Sequence, residues 1–200
     1  MPLQLLLPLS LFAFVTSITP GPNNIMLLTS GVNFGFRATI PHIFGIGTGF
    51  FSVLFAIGIG LGEVFKAYPE YYTVMKWISA VYFFYLAWGI TRSATPQADA
   101  GSRKNARPMS YLGAAAFQWA NPKAIVMAIA CFSSYAPLNS SVRDVIAIAS
   151  LVMAINLPCV SVWALFGSRL RDYLQNPSHR MTFNWIMAIL LISSLLPIFL

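Results

Sequence analysis

The feature that most constrains this chain is an apolar run from Leu3 to Phe34 that contains no charged side chain. As one straight helix the run would be about 48 Å long at about 1.5 Å per residue, which is longer than a roughly 30 Å hydrocarbon core requires. Pro20 and Pro22 each remove a backbone donor, and Gly21 between them adds backbone freedom. The helix should therefore open there and restart with Pro22 in its first turn, deep in a membrane.

The rest of the chain has the same apolar character, because 58% of its 200 residues are hydrophobic and only 8% are charged. A soluble domain of this size could hardly cover that surface with polar groups. The sequence predicts an all-α integral membrane protein with six transmembrane helices, at residues 4–30, 40–62, 71–91, 111–136, 144–167 and 183–199. A five-span alternative stays open if the fourth or the last segment does not cross.

One polar connection divides the chain nearly in half. We expect a single membrane transport domain over residues 1–200, with a first three-helix half at 1–92, a cytoplasmic linker at 93–110 and a second three-helix half at 111–200. Three spans per half make the second half enter the membrane in the opposite sense to the first. The sequence therefore allows a 3+3 inverted repeat with broken first and fourth helices.

The net charge of the chain is +7, but its basic residues are dispersed and concentrate at the ends of the hydrophobic runs. This distribution argues against nucleic acid as the partner. The second and fourth connections hold few basic residues, and acids accompany them. The positive-inside rule then predicts an inner-membrane protein with both termini outside. The first, third and fifth connections hold most of the basic residues: Arg37, Arg92, Arg103, Lys104, Arg107, Arg169, Arg171 and Arg180.

The fourth span contains a second interruption. Asn121 followed by Pro122 has the form of a helix N-cap with proline at the first helical position, so a half-helix should begin there near mid-membrane. In an inverted pair, both restarted half-helices point their N-termini toward the centre, where free N–H groups and the helix dipole favour an anion. The carbonyls opened at residues 18–21 and 118–120 would receive an ammonium group.

These features together predict a site for a zwitterionic amino acid. The alternative is that each proline marks a kink with no ligand. Lys123 either helps to neutralise the carboxylate or extends to the cytoplasmic interface. The predicted substrate-binding residues are Thr19, Pro20, Gly21, Pro22, Asn23, Asn24, Gln118, Trp119, Asn121, Pro122, Lys123 and Asn156.

Other residues carry weaker signals. His42 is interpreted as an interfacial residue, with a proton carrier as the alternative. Small residues four apart, at 45/49 and 58/62, predict close helix packing and permit a homodimer. The two cysteines are interpreted as core residues. The sequence has no Walker loop, His-Glu metal motif or Ser-His-Asp set at membrane depth, so we expect no cofactor, no metal and no enzymatic activity.

Two motifs together resemble a known family. The segment Thr19-Pro20-Gly21-Pro22-Asn23, followed by Gly35-Phe36-Arg37 and the glycines at 45–49, is similar to the LysE/RhtB amino-acid exporters, as is Asn121-Pro122-Lys123-Ala124. The resemblance implies export of amino acids or close derivatives, driven by the proton gradient. Residues 22–25 and 163–167 look most like the cysteine and O-acetylserine exporter branch. The homoserine, threonine and leucine branches remain open.

The sequence differs from some members of this family in the second span. Those members carry an acid in the second span, whereas Thr48-Gly49-Phe50 is uncharged here, which leaves the coupling ion open and favours neutral substrates. We therefore predict a secondary transporter that exports small neutral amino acids of the cysteine, O-acetylserine, homoserine and threonine class by alternating access. A channel-like facilitator and a non-transporting membrane scaffold are the alternatives.

Overall fold

The computed structural model describes residues 3–92, 107–137 and 140–194, and every regular element in those ranges is helical. The predicted all-α class is confirmed, while residues 93–106 of the predicted linker lie outside the described ranges. Single turns of 3₁₀ helix occupy Leu3–Leu5 and Tyr173–Gln175, and a π-helical turn occupies Ile57–Leu61. The helices are α1 (Leu6–Ile18), α2 (Pro22–Phe34), α3 (Phe36–Ala56), α4 (Gly62–Ala67), α5 (Pro69–Thr91), α6 (Tyr111–Ala120), α7 (Pro122–Tyr135), α8 (Val142–Leu170) and α9 (Pro177–Ser193).

Both predicted helix breaks are present. The first apolar run forms α1 and α2, with residues 19–21 between them and Gly21 in fully extended backbone at φ −178° and ψ 178°. The second forms α6 and α7, separated by the single extended residue Asn121. Pro22 and Pro122 each stand in the first turn of the restarted helix, where a missing N–H removes no helical hydrogen bond.

Among the described residues, two helices are long and apolar enough to cross a membrane alone: Phe36–Leu61, which joins α3 to its π turn, and Val142–Leu170. Leu6–Ile18, Ala80–Thr91 and Pro122–Tyr135 are apolar but shorter. Leu6–Ile18 and Pro122–Tyr135 are short because the breaks divide their runs. A span built from such a pair requires both half-helices in series.

The three basic connections meet at one end of the helix bundle. Gly35, between α2 and α3, lies beside the Arg171 guanidinium that follows α8. Ile90 near the end of α5 and Met109 before α6 line one cavity with Phe34. We call this end, which carries Arg37, Arg92, Arg107, Arg169, Arg171 and Arg180, the basic end.

The other connections meet at the opposite end. Gly58 in the π turn after α3 lies against Phe132 of α7 and Val145 of α8. The rings of Phe12 in α1 and Tyr135 in α7 are 5.4 Å apart. The start of α1 therefore lies at the end of the bundle opposite to the basic end.

Helix α2 is buried on nearly every side, and its closest approach is to α8. A Cβ on Gly31 would lie 2.2 Å from the carbonyl oxygen of Ala164, and one on Gly167 would lie 2.2 Å from that of Leu28. The two helices therefore touch backbone to backbone through small residues, as transmembrane helices commonly do.

The same packing joins α3 to α6. A Cβ on Gly45 would lie 2.3 Å from the carbonyl oxygen of Tyr111, and one on Gly49 would lie 2.5 Å from that of Ala115. The close packing predicted for the 45/49 pair is thus confirmed. Gly58 faces side chains instead of a backbone.

We expect Gly167→Ala to destabilise the protein by about 1–3 kcal/mol, because the added methyl group forces α8 away from α2. Thermal unfolding of the purified protein in detergent measures the effect. Gly89→Ala is the matched control, since a Cβ there meets nothing within 4 Å. Equal midpoints for the two variants would contradict the packing.

Candidate substrate site at the helix breaks

The two breaks contact each other through a pair of side-chain amides. Nδ2 of Asn23 donates to Oε1 of Gln118 at 2.8 Å, and Nε2 of Gln118 donates to Oδ1 of Asn23 at 3.0 Å. Gln118 is fully buried, and its Nε2 also donates to the carbonyl of Ala114 at 3.0 Å. This amide pair ties the start of α2 to the end of α6.

A second link crosses between the breaks. Nζ of Lys123 donates to the carbonyl oxygen of Thr19 at 3.0 Å, to the Thr19 hydroxyl at 3.1 Å and to the carbonyl of Pro20 at 3.3 Å. These carbonyls follow the C-terminal end of α1, where a cation complements the helix dipole. Lys123 therefore links the start of α7 to the first break.

The glycine of the first break makes room for this lysine. A Cβ on Gly21 would lie 2.8 Å from Cδ and 2.9 Å from Nζ of Lys123. The Gly21 backbone is extended, which any residue adopts, so a larger residue here would have to displace only the flexible end of the Lys123 side chain.

The remaining opened carbonyls of the first break also have protein partners. Nδ2 of Asn24 donates to the carbonyls of Ser17 and Thr19, both at 2.8 Å. Nε1 of Trp163 donates to the carbonyl of Ile18 at 3.2 Å. A substrate ammonium would share these carbonyls with side-chain donors, and its binding there stays a prediction. Buried carbonyls need donors whether or not a ligand is bound, and side chains supply them.

The two half-helix N-termini differ. At the start of α7, Oδ1 of Asn121 accepts the backbone N–H of Lys123 at 3.1 Å, so this N-terminus is capped from within. No side chain caps α2, because its N-cap residue is Gly21. The backbone N–H groups of Asn23 and Asn24 are thus left for a ligand. Of the two helix starts predicted to bind an anion, the one at α7 has a side-chain cap and the one at α2 has none.

A cavity with about 320 Å³ of empty space, including its open mouth, lies between the breaks. We call it the central cavity. Seven of the predicted residues line it: Gly21, Pro22, Asn23, Asn24, Asn121, Lys123 and Asn156.

Asn156 of α8 presents an unused acceptor in this cavity. Its side chain is 4% exposed, and Nδ2 donates to the Ser17 hydroxyl at 2.9 Å. Its Oδ1 is buried and has no hydrogen-bond partner. Because buried acceptors are normally satisfied, this oxygen is positioned to receive a donor from a bound molecule.

The other predicted residues do not line the central cavity. Thr19 and Pro20 are exposed and bind Lys123, while Gln118 belongs to the amide pair. Pro122 starts α7 and is buried. Trp119 is 41% exposed and donates its Nε1 to the Ser52 hydroxyl of α3 at 3.1 Å.

Six residues that line the central cavity were not predicted from the sequence. Ser17 carried a usable signal, since it is a hydroxyl close to the break within an apolar run. The apolar residues carried none, because apolar residues of a span look alike until packing fixes which face meets the cavity. The missed residues are Thr16, Ser17, Phe50, Ala124, Met127 and Val160.

The chain is similar to known transport proteins. The family model for the LysE type translocator matches residues 14–194. The chain is 30% identical over 190 residues to a protein of Salmonella typhimurium (strain LT2) named as a cysteine/O-acetylserine efflux protein, with 94% of each chain covered. A protein of the same name from Escherichia coli (strain K12) is 28% identical over 190 residues, again with 94% of each covered. No solved structure matches the chain.

A double-mutant cycle tests the amide pair. We expect Asn23→Ala and Gln118→Ala each to lower the free energy of unfolding by about 1–3 kcal/mol, because each leaves the other amide without its partner. The loss of unfolding free energy in the double variant should be smaller than the sum of the two single losses by about 0.5–3 kcal/mol. Thermal unfolding in detergent measures the three variants, and strictly additive losses would contradict the pairing.

Proposed function

The chain belongs to the LysE type translocator family, and we propose on this premise that it exports a small neutral amino acid, such as cysteine or O-acetylserine, from the cytoplasm. Family membership makes it a multi-pass inner-membrane transporter and not an enzyme. The substrate is proposed from the relatives named as cysteine/O-acetylserine efflux proteins and from the chemistry of the central cavity.

One observation carries the proposal: the central cavity holds an open helix N-terminus and an unused acceptor together. The N–H groups of Asn23 and Asn24 receive the substrate carboxylate, and Nζ of Lys123, directly over Gly21, adds positive charge there. Oδ1 of Asn156 receives the ammonium group. The cavity thus offers donors and an acceptor to the two ends of a zwitterion.

The walls of the cavity favour a small neutral side chain. Phe50, Met127 and Val160 are apolar, and none of the described lining residues is an acid. A basic substrate would find no counter-charge for its side chain. A thiol or a short ester can lie against these walls without an unpaired charge.

The helices accommodate the six-span inverted arrangement. In it, α1–α2, α3 and α5 form the first half, and α6–α7, α8 and α9 form the second. The contacts of α3 with α8 and of α5 with α9 join segments that such a repeat makes equivalent. By the positive-inside rule the basic end faces the cytoplasm, so both termini lie outside.

The two links between the breaks supply the gates that alternating access requires. The amide pair joins α2 and α6, the half-helices that run to the basic end, so it closes the cavity toward the cytoplasm. The Lys123 link joins α7 to the end of α1 and closes the cavity toward the outside. Opening one link at a time, driven by the proton gradient, moves the amino acid outward.

Uptake into inside-out membrane vesicles tests the function. We expect labelled cysteine and O-acetylserine to accumulate, with lysine and arginine excluded and a protonophore abolishing accumulation. Counterflow, in which unlabelled substrate inside accelerates entry of label, is expected of a carrier. Uptake without counterflow would indicate a channel-like facilitator, and absence of uptake for every amino acid would leave a non-transporting scaffold.

Substrate analogues test the role of Asn156. For the parental protein, an analogue that lacks the ammonium group should compete for uptake about tenfold less well than the amino acid, the effect of losing one charge-assisted hydrogen bond. In Asn156→Ala this difference should shrink to about twofold, since the acceptor is gone.

Ser161→Ala is the matched control for Asn156→Ala. Ser161 lies on the same helix, and its hydroxyl donates to the carbonyl of Leu157 one turn earlier at 2.7 Å. Ser161 does not line the central cavity. An undiminished preference for the ammonium group in Asn156→Ala would remove Asn156 from the site.

A further inference from the structure

A second cavity, with about 510 Å³ of empty space including its open mouth, lies at the basic end between α2, α3 and α5. We call it the basic-end cavity. Its walls are largely apolar, and its polar side chains are Thr29, Ser30, Asn33 and His42. The substrate site described above uses none of these residues.

His42 is the unexplained residue of this cavity. It is 1% exposed, lines the cavity, and neither Nδ1 nor Nε2 has a hydrogen-bond partner. The nearby hydroxyls are already engaged: Ser30 bonds Thr39 at 2.9 Å, and Thr29 donates to the carbonyl of Ile25 at 2.9 Å. A neutral imidazole has one donor and one acceptor, so an open nitrogen of His42 can form a hydrogen bond with a ligand in the cavity.

A buried cation binds one of the lining residues of this cavity. Arg180 is 5% exposed, and one guanidinium nitrogen, Nη2, donates to Oδ1 of the cavity residue Asn33. Its Nε is buried without a partner. Within the described part of the chain, no carboxylate binds Arg180. The neutral amide of Asn33 thus stands where a carboxylate would bind more strongly.

The surroundings of Arg180 increase its preference for an anion. It lies in the first turn of α9, where the helix dipole is already positive. Arg171 is close enough to repel it. A buried guanidinium in these surroundings is stabilised when an anion binds.

The two cavities are neighbours along one face of α2. Asn23 lines the central cavity, and Met26, three residues later, lines the basic-end cavity, which corresponds to a rise of about 4.5 Å. The amide pair of Asn23 and Gln118 therefore lies where the central cavity borders the basic-end cavity. A molecule in the basic-end cavity is therefore one helical turn from the central cavity.

We propose that the basic-end cavity is a second binding site for the exported amino acid, which occupies it before passing the amide pair. Arg180 takes the carboxylate in place of Asn33, while one nitrogen of His42 accepts from the ammonium group. This inference rests on the proposed function, because it assigns the cytoplasmic waiting position of the same substrate.

His42→Leu separates function from stability. Since the His42 nitrogens have no partner to lose, the substitution should leave the thermal midpoint of the purified protein unchanged or higher. In inside-out vesicles it should raise the KM for cysteine uptake about tenfold or more and change the maximal rate by less than about twofold. A parental KM in His42→Leu would overturn the proposal.

Arg180 is tested with a charge-matched control. Arg180→Gln should raise KM by a similar factor, and Arg180→Lys should recover most of the parental value. Arg169→Gln removes the same charge from the same end at an exposed position, and it should change neither KM nor the maximal rate. Equal effects of Arg180→Gln and Arg169→Gln would assign the loss to general surface charge and overturn the proposal.

Binding stoichiometry tests the second site directly. At saturation the purified parental protein should bind two labelled cysteines per chain, and His42→Leu should bind one. One per chain in both proteins would overturn the inference while leaving the central cavity in place. Absence of uptake and of binding in the parental protein would instead refute the proposed function itself.

Discussion

The structure depends on one constraint: a backbone carbonyl opened in a membrane helix must find a donor within the protein. The carbonyls of residues 17–20 accept hydrogen bonds from side chains outside α1. The donors are Lys123 beside the second break, Trp163 of α8 and Asn24 of α2. Lipid offers no donor, so each break is stabilised by the residues around it. The same bonds that satisfy the backbone also hold the two breaks against one another.

The difference between the breaks gives the central cavity its polarity. Asn121 caps the helix that follows it, whereas Gly21 has no side chain with which to cap α2. One half-helix is therefore complete in itself and the other is left with open N–H groups. Lys123 lies over the open end and Asn156 faces the same cavity with an unused oxygen, so positive and negative ends of a ligand are distinguished. An inverted repeat with identical breaks would lack this distinction.

Helix α2 connects the site to the rest of the molecule. Its start lines the central cavity, its later turns line the basic-end cavity, and Gly31 lets it pack directly against the backbone of α8. Both cavities share this helix, and the amide pair at its start binds α6.

The sequence by itself determined the helical class, the positions of both breaks and the glycines of the α3–α6 contact, because proline chemistry, apolar length and small-residue spacing act locally. Seven of the residues it predicts for substrate binding line the central cavity. Tertiary structure alone decided that the opened carbonyls bind side chains, that Trp119 faces Ser52 and that His42 lines a cavity whose residue Asn33 binds Arg180. These outcomes depend on which helix faces meet, and pairings between residues about a hundred positions apart leave no local trace in an apolar span.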